Sequence, residues 1–514
     1  MGEIRYVCLS DMHLGATNSL LTNLKIASTD TDPLKASPVM EQLVECLKTL
    51  IGVEQDVTLI LNGDIVELAL ATDNEAYMAF ERFIELTLKP GQQLFKRIIY
   101  IPGNHDHHLW ELARETQYME FVGTLQEGAS GPRTSKDELP PSWHTTNLFV
   151  ENDPRPVIPY TLNRLVRYTL DRLKRNYTSP KAGPPDKDDR EDTDFPILTA
   201  YPNLALMKTG GQKCVIFHHG HFVESLYHLM TTIKNLVFSR GKPKHSILPN
   251  QIWDLEAENF AWIDFFWSTM GRSGDVGKDV GIFYEKMQDP GEFKKLLYNL
   301  AKNLIAEANQ PCWAAWLEKK GMKRIISMVI DRIGTTENLQ TEKVLSKDAE
   351  KGLRNYMNGP LREQIRTKLR NDKTPPDVTF VFAHTHKPFE EVKNFKEYTN
   401  QWVKVYNSGG WVVESVDPAP RHGGAVILID EDLNVASLRM YNEDSNALNY
   451  AVKVEEALHP GEPSSPFCSD MRSLFSPSVD PWRKFSHDVA EAVQARAENL
   501  RAEIHTKANG RTKG

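Results

Sequence analysis

The stretch Ile101-Pro102-Gly103-Asn104-His105-Asp106 closes an apolar run, Arg97-Ile98-Ile99-Tyr100, and its reading decides the fold. The run predicts a buried strand bounded by turn residues. A strand that stops at Pro-Gly and goes on as Asn, His and Asp presents polar side chains at the carboxyl edge of a sheet. That edge is where α/β proteins carry their chemistry. Moving outward, the other candidate ligands fall in the same kind of place. Residues 4–10 predict a strand ending at Asp11-Met12-His13, and residues 56–62 one ending at Gly63-Asp64-Ile65-Val66-Glu67. Alone, the Asp-x-His pair reads equally well as a turn cap. Between these strands, Val39, Leu43, Leu47 and Leu50 recur at helical spacing, and residues 76–88 predict a second helix stopped by Pro90-Gly91. The alternation β-α-β-α-β predicts a parallel, layered sheet, hence an α/β fold.

Further along, residues 203–208 and 213–217 predict a hairpin whose second arm ends in His218-His219-Gly220-His221. Three histidines in four residues at a strand end point to a metal. Residues 377–383 form the next strand, ending in His384-Thr385-His386, with further strands at 404–407 and 424–430 and an edge strand at 435–441. From 222 to 374 the alternation stops. That segment is helix-like and rich in aromatics (Trp253, Trp262, Phe265, Phe266, Trp267, Trp313, Trp316), which predicts an α-helical insertion whose aromatics build its own core, a minority lining a groove. Within it Arg272, between glycines, is a candidate phosphate contact set against a plain loop. A helix over 159–177 carries a basic face, read as solvated, and 179–194 reads as a loop or linker. A charged helix over 480–508 is expected to pack on the surface or on a partner. The division expected is a core in two parts, 1–221 and 376–445, an insertion at 222–375 and a tail at 446–514.

A chain of 514 residues with net charge −8 has no global basic field to draw in nucleic acid. The five cysteines (Cys8, Cys46, Cys214, Cys312, Cys468) are scattered without Cys-x-x-Cys spacing, which predicts reduced core residues rather than disulfides or zinc ligands. Residues 1–10 read as a strand and not a signal peptide, Tyr6 stands where myristoylation needs Ser or Thr, and no run is apolar enough to span a bilayer. A cytoplasmic location is expected.

Collected, the strand-end residues are Asp11, His13, Asp64, Asn104, His105, His218, His219, His221, His384 and His386. This oxygen and nitrogen set, free of thiolates, suits Mn²⁺ first, with Fe or Zn²⁺ as alternatives. It exceeds one tetrahedral ion and is enough for two metals sharing a carboxylate, ~3.5–4 Å apart.

Asp11-x-His13, Gly63-Asp64-x-x-Glu67, Gly103-Asn104-His105-Asp106, His219-Gly220-His221 and His384-x-His386 resemble, in order, the five blocks of the calcineurin-like metallophosphoesterases. The resemblance covers roughly residues 1–221 and 376–445. It implies a four-layer α/β/β/α sandwich, here with a large α-helical insertion. It also implies that Asp11, His13 and His386 hold one metal, Asn104, His219 and His384 the second, and that Asp64 bridges them. By the same resemblance a hydroxide made available by the two cations attacks phosphorus in line. His105 then stabilises the transition state or protonates the leaving oxygen, with Glu67 orienting it. His219 is preferred over His218 and His221 as the ligand because it directly precedes Gly220. His107, His221 and Arg272 are candidate substrate contacts, with surface exposure the competing reading for His107 and His108. Ala383 stands where the family usually has glycine; a positive φ there would cost about 1 kcal/mol. The expected activity is metal-dependent hydrolysis of a phosphate mono- or diester. The alternatives are a pyrophosphohydrolase of a nucleotide-linked lipid or sugar, a nuclease (disfavoured by the acidic net charge), and a catalytically silent scaffold.

Overall fold

The computed structural model describes residues 2–26, 28–123, 144–149, 162–178, 197–208, 210–238, 248–269 and 343–511. Arg272, Cys312, Trp313, Trp316 and the 179–194 linker lie outside the described residues. In chain order the first strands are β1 (Ile4–Leu9), β2 (Thr22–Leu24), β3 (Thr31–Ala36), β4 (Thr58–Asn62), β5 (Arg97–Ile101), β6 (Ile197–Thr199), β7 (Asn203–Met207) and β8 (Lys213–His218). They are followed by β9 (Asp377–Phe382), β10 (Phe389–Asn394), β11 (Trp402–Asn407), β12 (Gly423–Asp430), β13 (Val435–Asn442) and β14 (Lys453–Glu455). The helices used below are α1 (Pro38–Ile51), α2 (Asp73–Thr87), α3 (His108–Gly123), α4 (Asn163–Thr178), α5 (Leu229–Phe238) and α6 (Ile252–Ile263). After these come α7 (Lys347–Tyr356), α8 (Arg362–Leu369), α9 (Pro466–Leu474) and α10 (Trp482–Arg511).

Local chemistry sets the helix starts. Ser37 caps α1 by accepting from the Met40 amide, with Pro38 just inside, and Thr72 and Glu75 form a reciprocal capping box on α2. Each such cap is worth about 1 kcal/mol.

Among the described residues one sheet runs β14-β13-β12-β1-β4-β5-β6 and a second runs β10-β11-β9-β8-β7. In the first sheet β1, β4, β5 and β6 are parallel, as the alternation with helices requires, but β12, β13 and β14 are antiparallel. The expectation of a parallel sheet therefore holds only for its first half. β13 is also not the edge: β14 pairs along it and takes that place. In the second sheet β8, β9 and β11 are parallel, flanked by antiparallel β7 and β10.

The apolar side chains sort by face, as a two-residue period demands. Cys8, Ile60, Ile99, Ile427 and Ile429 of the first sheet cluster with Leu204, Val215, Phe217, Val381 and Tyr406 of the second. The other face of the first sheet packs on α1, α2, α4 and α10, through residues such as Leu43, Phe80, Val166 and Phe485. The other face of the second packs on α6, α7 and α8, through Leu255, Leu353 and Ile365. The regular elements described between 222 and 375 are all helical: α5 to α8, two π-type turns, Asp264–Thr269 and Met357–Leu361, and short 3-10 turns before α5. Of the aromatics there, Trp262 and Trp267 are buried while Trp253 and Phe265 are exposed. Cys8, Cys46, Cys214 and Cys468 are buried and unpaired to one another. No described helix is long and apolar enough to cross a membrane.

The C-terminal helix departs from expectation. Trp482, Phe485, Val489 and Val493 recur at helical spacing and are buried against the first sheet's helices, so α10 belongs to the core. Its Arg496 is buried, and the guanidinium donates to the Ser19 carbonyl at 3.0 Å and the Thr22 carbonyl at 2.6 Å. Burial draws this arginine down to about 10, and the two carbonyls carry the compensation. Arg496→Ala is expected to cost on the order of 3 kcal/mol, since two buried carbonyls lose charge-assisted bonds. Urea unfolding of the variant against the native chain measures it; a change below about 0.5 kcal/mol would mean the carbonyls are satisfied otherwise.

Candidate metal centre

The carboxyl ends of β1, β4 and β5 from one sheet and of β8 and β9 from the other meet at one place. The loops there are stitched together before any side chain is considered. The Asp11 amide donates to the Gly63 carbonyl, His13 to Asp64 and Leu14 to Ile65, each at 2.9 Å. The Asp106 carboxylate accepts from the Ile65 and Gly103 amides at 2.8 and 2.6 Å, tying the β5 loop to the β4 loop. The Asp11 carboxylate accepts from the His384 amide at 3.0 Å, tying β1 to β9.

Two glycines make the approach possible. Gly63 has φ +84°, and a Cβ there would lie 2.3 Å from His219 Nδ1; at Gly103 a Cβ would lie 2.3 Å from Asp64 Oδ1. Five residues with side chains are also held at positive φ: Asp11 at 46°, His13 at 44°, Asp64 at 52°, His384 at 71° and His386 at 54°. Such conformations cost about 1–3 kcal/mol each and persist where the surroundings over-determine them. Ala383 is not among the positive-φ residues; the left-handed residue is its neighbour His384, so an alanine is tolerated.

Three groups of side chains converge: Asp11, His13 and His386; His13, Asp64 and His105; Asp64, His219 and His384. In each group the nitrogens and oxygens lie within 4.8 Å of one another. His13 Nε2 is 3.3 Å from His386 Nε2, and His386 Nε2 is 3.3 Å from Asp11 Oδ1. His219 Nε2 is 3.1 Å from Asp64 Oδ2 and 3.0 Å from Asn104 Oδ1. Metal–nitrogen bonds of ~2.0–2.1 Å set two ligands of one ion roughly 3.0–3.4 Å apart, so these spacings fit a shared cation. Asp64 belongs to two of the groups, the position a bridging carboxylate takes.

The far side of each ring fixes its aim. His13 Nδ1 donates to Glu67 Oε2 at 2.7 Å, His219 Nδ1 to the Asn62 carbonyl at 3.0 Å, and His386 Nδ1 lies 3.1 Å from Glu414 Oε1. With Nδ1 occupied, Nε2 is the nitrogen left for a metal. His384 is turned the other way, with Nε2 3.1 Å from Glu224 Oε1. Glu67, fully buried, also accepts from His105 Nδ1 at 2.9 Å and from the Ala69 and Leu70 amides.

Electrostatics follow from this crowding. Burial disfavours charge on His105, but Glu67 and Asp64 outweigh it and hold the ring at about 9. His219, likewise buried, is carried to about 9 by Asp64. Burial alone would raise Glu67, yet His105 and His13 bring it down to about 2. Asp64 is likewise lowered, against its burial, by His219, His105 and His13. Buried carboxylates surrounded by imidazoles are a place where positive charge is wanted. The chemistry of the donor set therefore fits a pair of divalent cations.

Other expected site residues fall elsewhere. His218, fully buried, stacks on Phe222 and packs against Tyr356, away from the convergence point, which leaves His219 as the histidine of its block that joins it. His221 is buried parallel to Tyr201, with Nε2 3.3 Å from the phenol oxygen. His107 is fully buried, contrary to its exposed reading: Nε2 is 2.9 Å from Glu256 and Nδ1 3.5 Å from Asp264. His108 is only partly buried, and its amide donates to Ser268 Oγ at 2.7 Å. These two histidines clamp the helical segment 252–269 onto the loop that carries His105. Sequence reasoning missed Glu224, Glu256, Asp264 and Glu414; no spacing marks them, and only their burial beside an imidazole could have.

The clamp has a pH signature. Burial opposes charge on His107, but Glu256 and Asp264 raise it from an ordinary 6.5 to about 9. Between those values the folded chain binds more protons than the unfolded one. This contribution to stability, on the order of 3 kcal/mol, is therefore complete below pH 6.5 and lost as pH rises through 9. Glu256→Gln is expected to remove most of it, and so to flatten the fall in unfolding free energy between those pH values. Urea titrations of both proteins across the window measure this; equal slopes would show that the pair is not coupled to folding.

Residues 4–231 match the family model for calcineurin-like phosphoesterases. The matched span contains the blocks at Asp11, Asp64, Asn104 and His219 and stops short of His384 and His386. This supports the metallophosphoesterase superfamily and, with it, hydrolysis of a phosphate ester. No curated protein gives a match to the chain.

Proposed function

We propose that this member of the metallophosphoesterase superfamily hydrolyses a phosphate mono- or diester with two divalent metal ions. The observation that carries the reading is the convergence of Asp11, His13 and His386 beside Asp64, His219 and His384, from strand ends up to 375 residues apart in the chain. Asp11, His13 and His386 would hold one ion, Asn104, His219 and His384 the other, and Asp64 both. Bound there, the ions would supply positive charge against the phosphoryl oxygens and a water acidified toward neutral pH. Mn²⁺ is the first candidate, with Fe or Zn²⁺ behind it.

The chain's own residues do the rest. His105 has Nδ1 anchored on Glu67, so Nε2 is the nitrogen turned to the reacting group, and the carboxylates around the ring keep a proton on it near neutral pH. His105 would give that proton to the leaving oxygen, and Glu67 keeps the ring in register for it. The two facing sheets with helices on their outer faces are read as the α/β/β/α sandwich, and the helices between 222 and 375 as an insertion in it. Metal analysis of the purified chain, with turnover of generic phosphomono- and diesters in Mn²⁺, tests the reading. About two ions per chain and metal-dependent release of phosphate or alcohol are expected. Bound metal without any turnover would favour a silent scaffold.

A further inference from the structure

We propose that Trp267 and Tyr227, both from the segment that follows His221, form an aromatic wall on the leaving-group side of the site, which therefore takes a phosphoester with a flat, apolar leaving group of aryl type. The proposal rests on the phosphoesterase reading for the word leaving group, and on geometry for the wall. His105 marks that side, because its proton goes to the departing oxygen. The Trp267 ring lies 6.4 Å from the His105 ring, centre to centre, and Tyr227 packs 5.0 Å from Trp267. Tyr227 in turn stands edge-on to His384 at 5.0 Å, and its phenol oxygen accepts from Asn104 Nδ2 at 3.2 Å. A chain of aromatic contacts therefore runs from the candidate proton donor to two candidate ligands of the second ion.

Trp267 is 5 % exposed and Tyr227 4 %, the same as His384 and His386 at 5 % and His13 at 4 %. The pair packs directly beside the candidate ligands and is as buried as they are. Trp267 is also fixed there: it lies in the turn Asp264–Thr269, pinned on one side by Asp264 against His107 and on the other by Ser268 Oγ accepting the His108 amide. A departing short alkyl alcohol would meet this wall without using it. An aryl group stacks on it, and offset or edge-to-face aromatic contact is worth up to about tenfold in binding.

The test uses the full chain loaded with Mn²⁺, its Trp267→Ala and Trp267→Phe variants, and two non-hydrolysable probes, 1-naphthylphosphonate and methylphosphonate. Calorimetric Kd values are expected to favour the naphthyl probe by about tenfold in the native chain. Trp267→Ala should erase that ratio and Trp267→Phe restore most of it, with metal content unchanged in both. The kcat/KM ratio of 1-naphthyl phosphate to phenyl phosphate, whose leaving groups have similar acidity, should move in parallel. An equal ratio in the native chain and Trp267→Ala, or no naphthyl preference at all, overturns the wall and makes Trp267 plain core. A naphthyl preference in binding with no ester turned over ends the phosphoesterase reading and leaves the wall standing.

Discussion

Replacing His105 with alanine is expected to lower kcat by about 10²–10⁴ while about two metal ions per chain remain bound. The magnitude is that of a lost general acid, the role proposed for His105: Nδ1 is committed to Glu67, which leaves Nε2 for the proposed proton transfer. The metal should remain because the His105 side chain is hydrogen-bonded through that Glu67 contact, while Asp64 keeps its place by accepting the His105 main-chain amide at 2.8 Å. That amide survives the substitution. Turnover and metal content have to be measured on the same preparation, because His105 also lies within ligand distance of His13 and Asp64. A variant that emerges with one ion fewer would reassign His105 as a ligand.

Asp64→Ala is expected to do more damage, removing both turnover and metal. Asp64 stands between the two candidate sites, 3.8 Å from His13 Nε2 and 3.1 Å from His219 Nε2. Deleting its carboxylate takes away the group that both ions would share and leaves His105, His13 and His219 without their common counter-charge. The expected result is less than about one ion per chain and a fall in kcat/KM beyond about 10³, more than the loss of a single acid–base group. Metal analysis after dialysis, followed by kinetics at rising Mn²⁺, separates weakened binding from lost chemistry. Full occupancy with full activity would mean that the two ions are not bridged by this residue.

Much of this was legible in the chain because each candidate ligand follows a strand whose apolar run ends abruptly. Leu59 to Leu61 before Asp64 and Ile98 to Ile101 before Asn104 are buried on both faces, and runs of that kind are conspicuous. What escaped is what lacks local signal. The hairpin of β2 and β3 is polar, carries Pro33 and buries little, so no alternation marks it. The direction of β12 and β13 depends on partners far away in the chain and leaves no trace in their composition. In α10 the apolar stripe is diluted by Ala, Glu and Arg, and a stripe so interrupted resembles a solvated helix. Glu224, Glu256 and Glu414 look like surface acids until the fold sets an imidazole beside each.

The anchoring of Arg496 on the carbonyls of Ser19 and Thr22 bears on the order in which a nascent chain can mature. The loop after β1 contains Asp11 and His13, and its neighbours wait for a helix translated 477 residues later, while the partners of Asp11 at His384 and His386 emerge only shortly before it. A fragment made only as far as the end of β8 and His219 can pair its parallel strands, yet it holds only Asp11, His13, Asp64, Asn104 and His219 of the candidate ligand set. If the proposed ions bind there, both would be seated only after His384, His386 and Arg496 have been made.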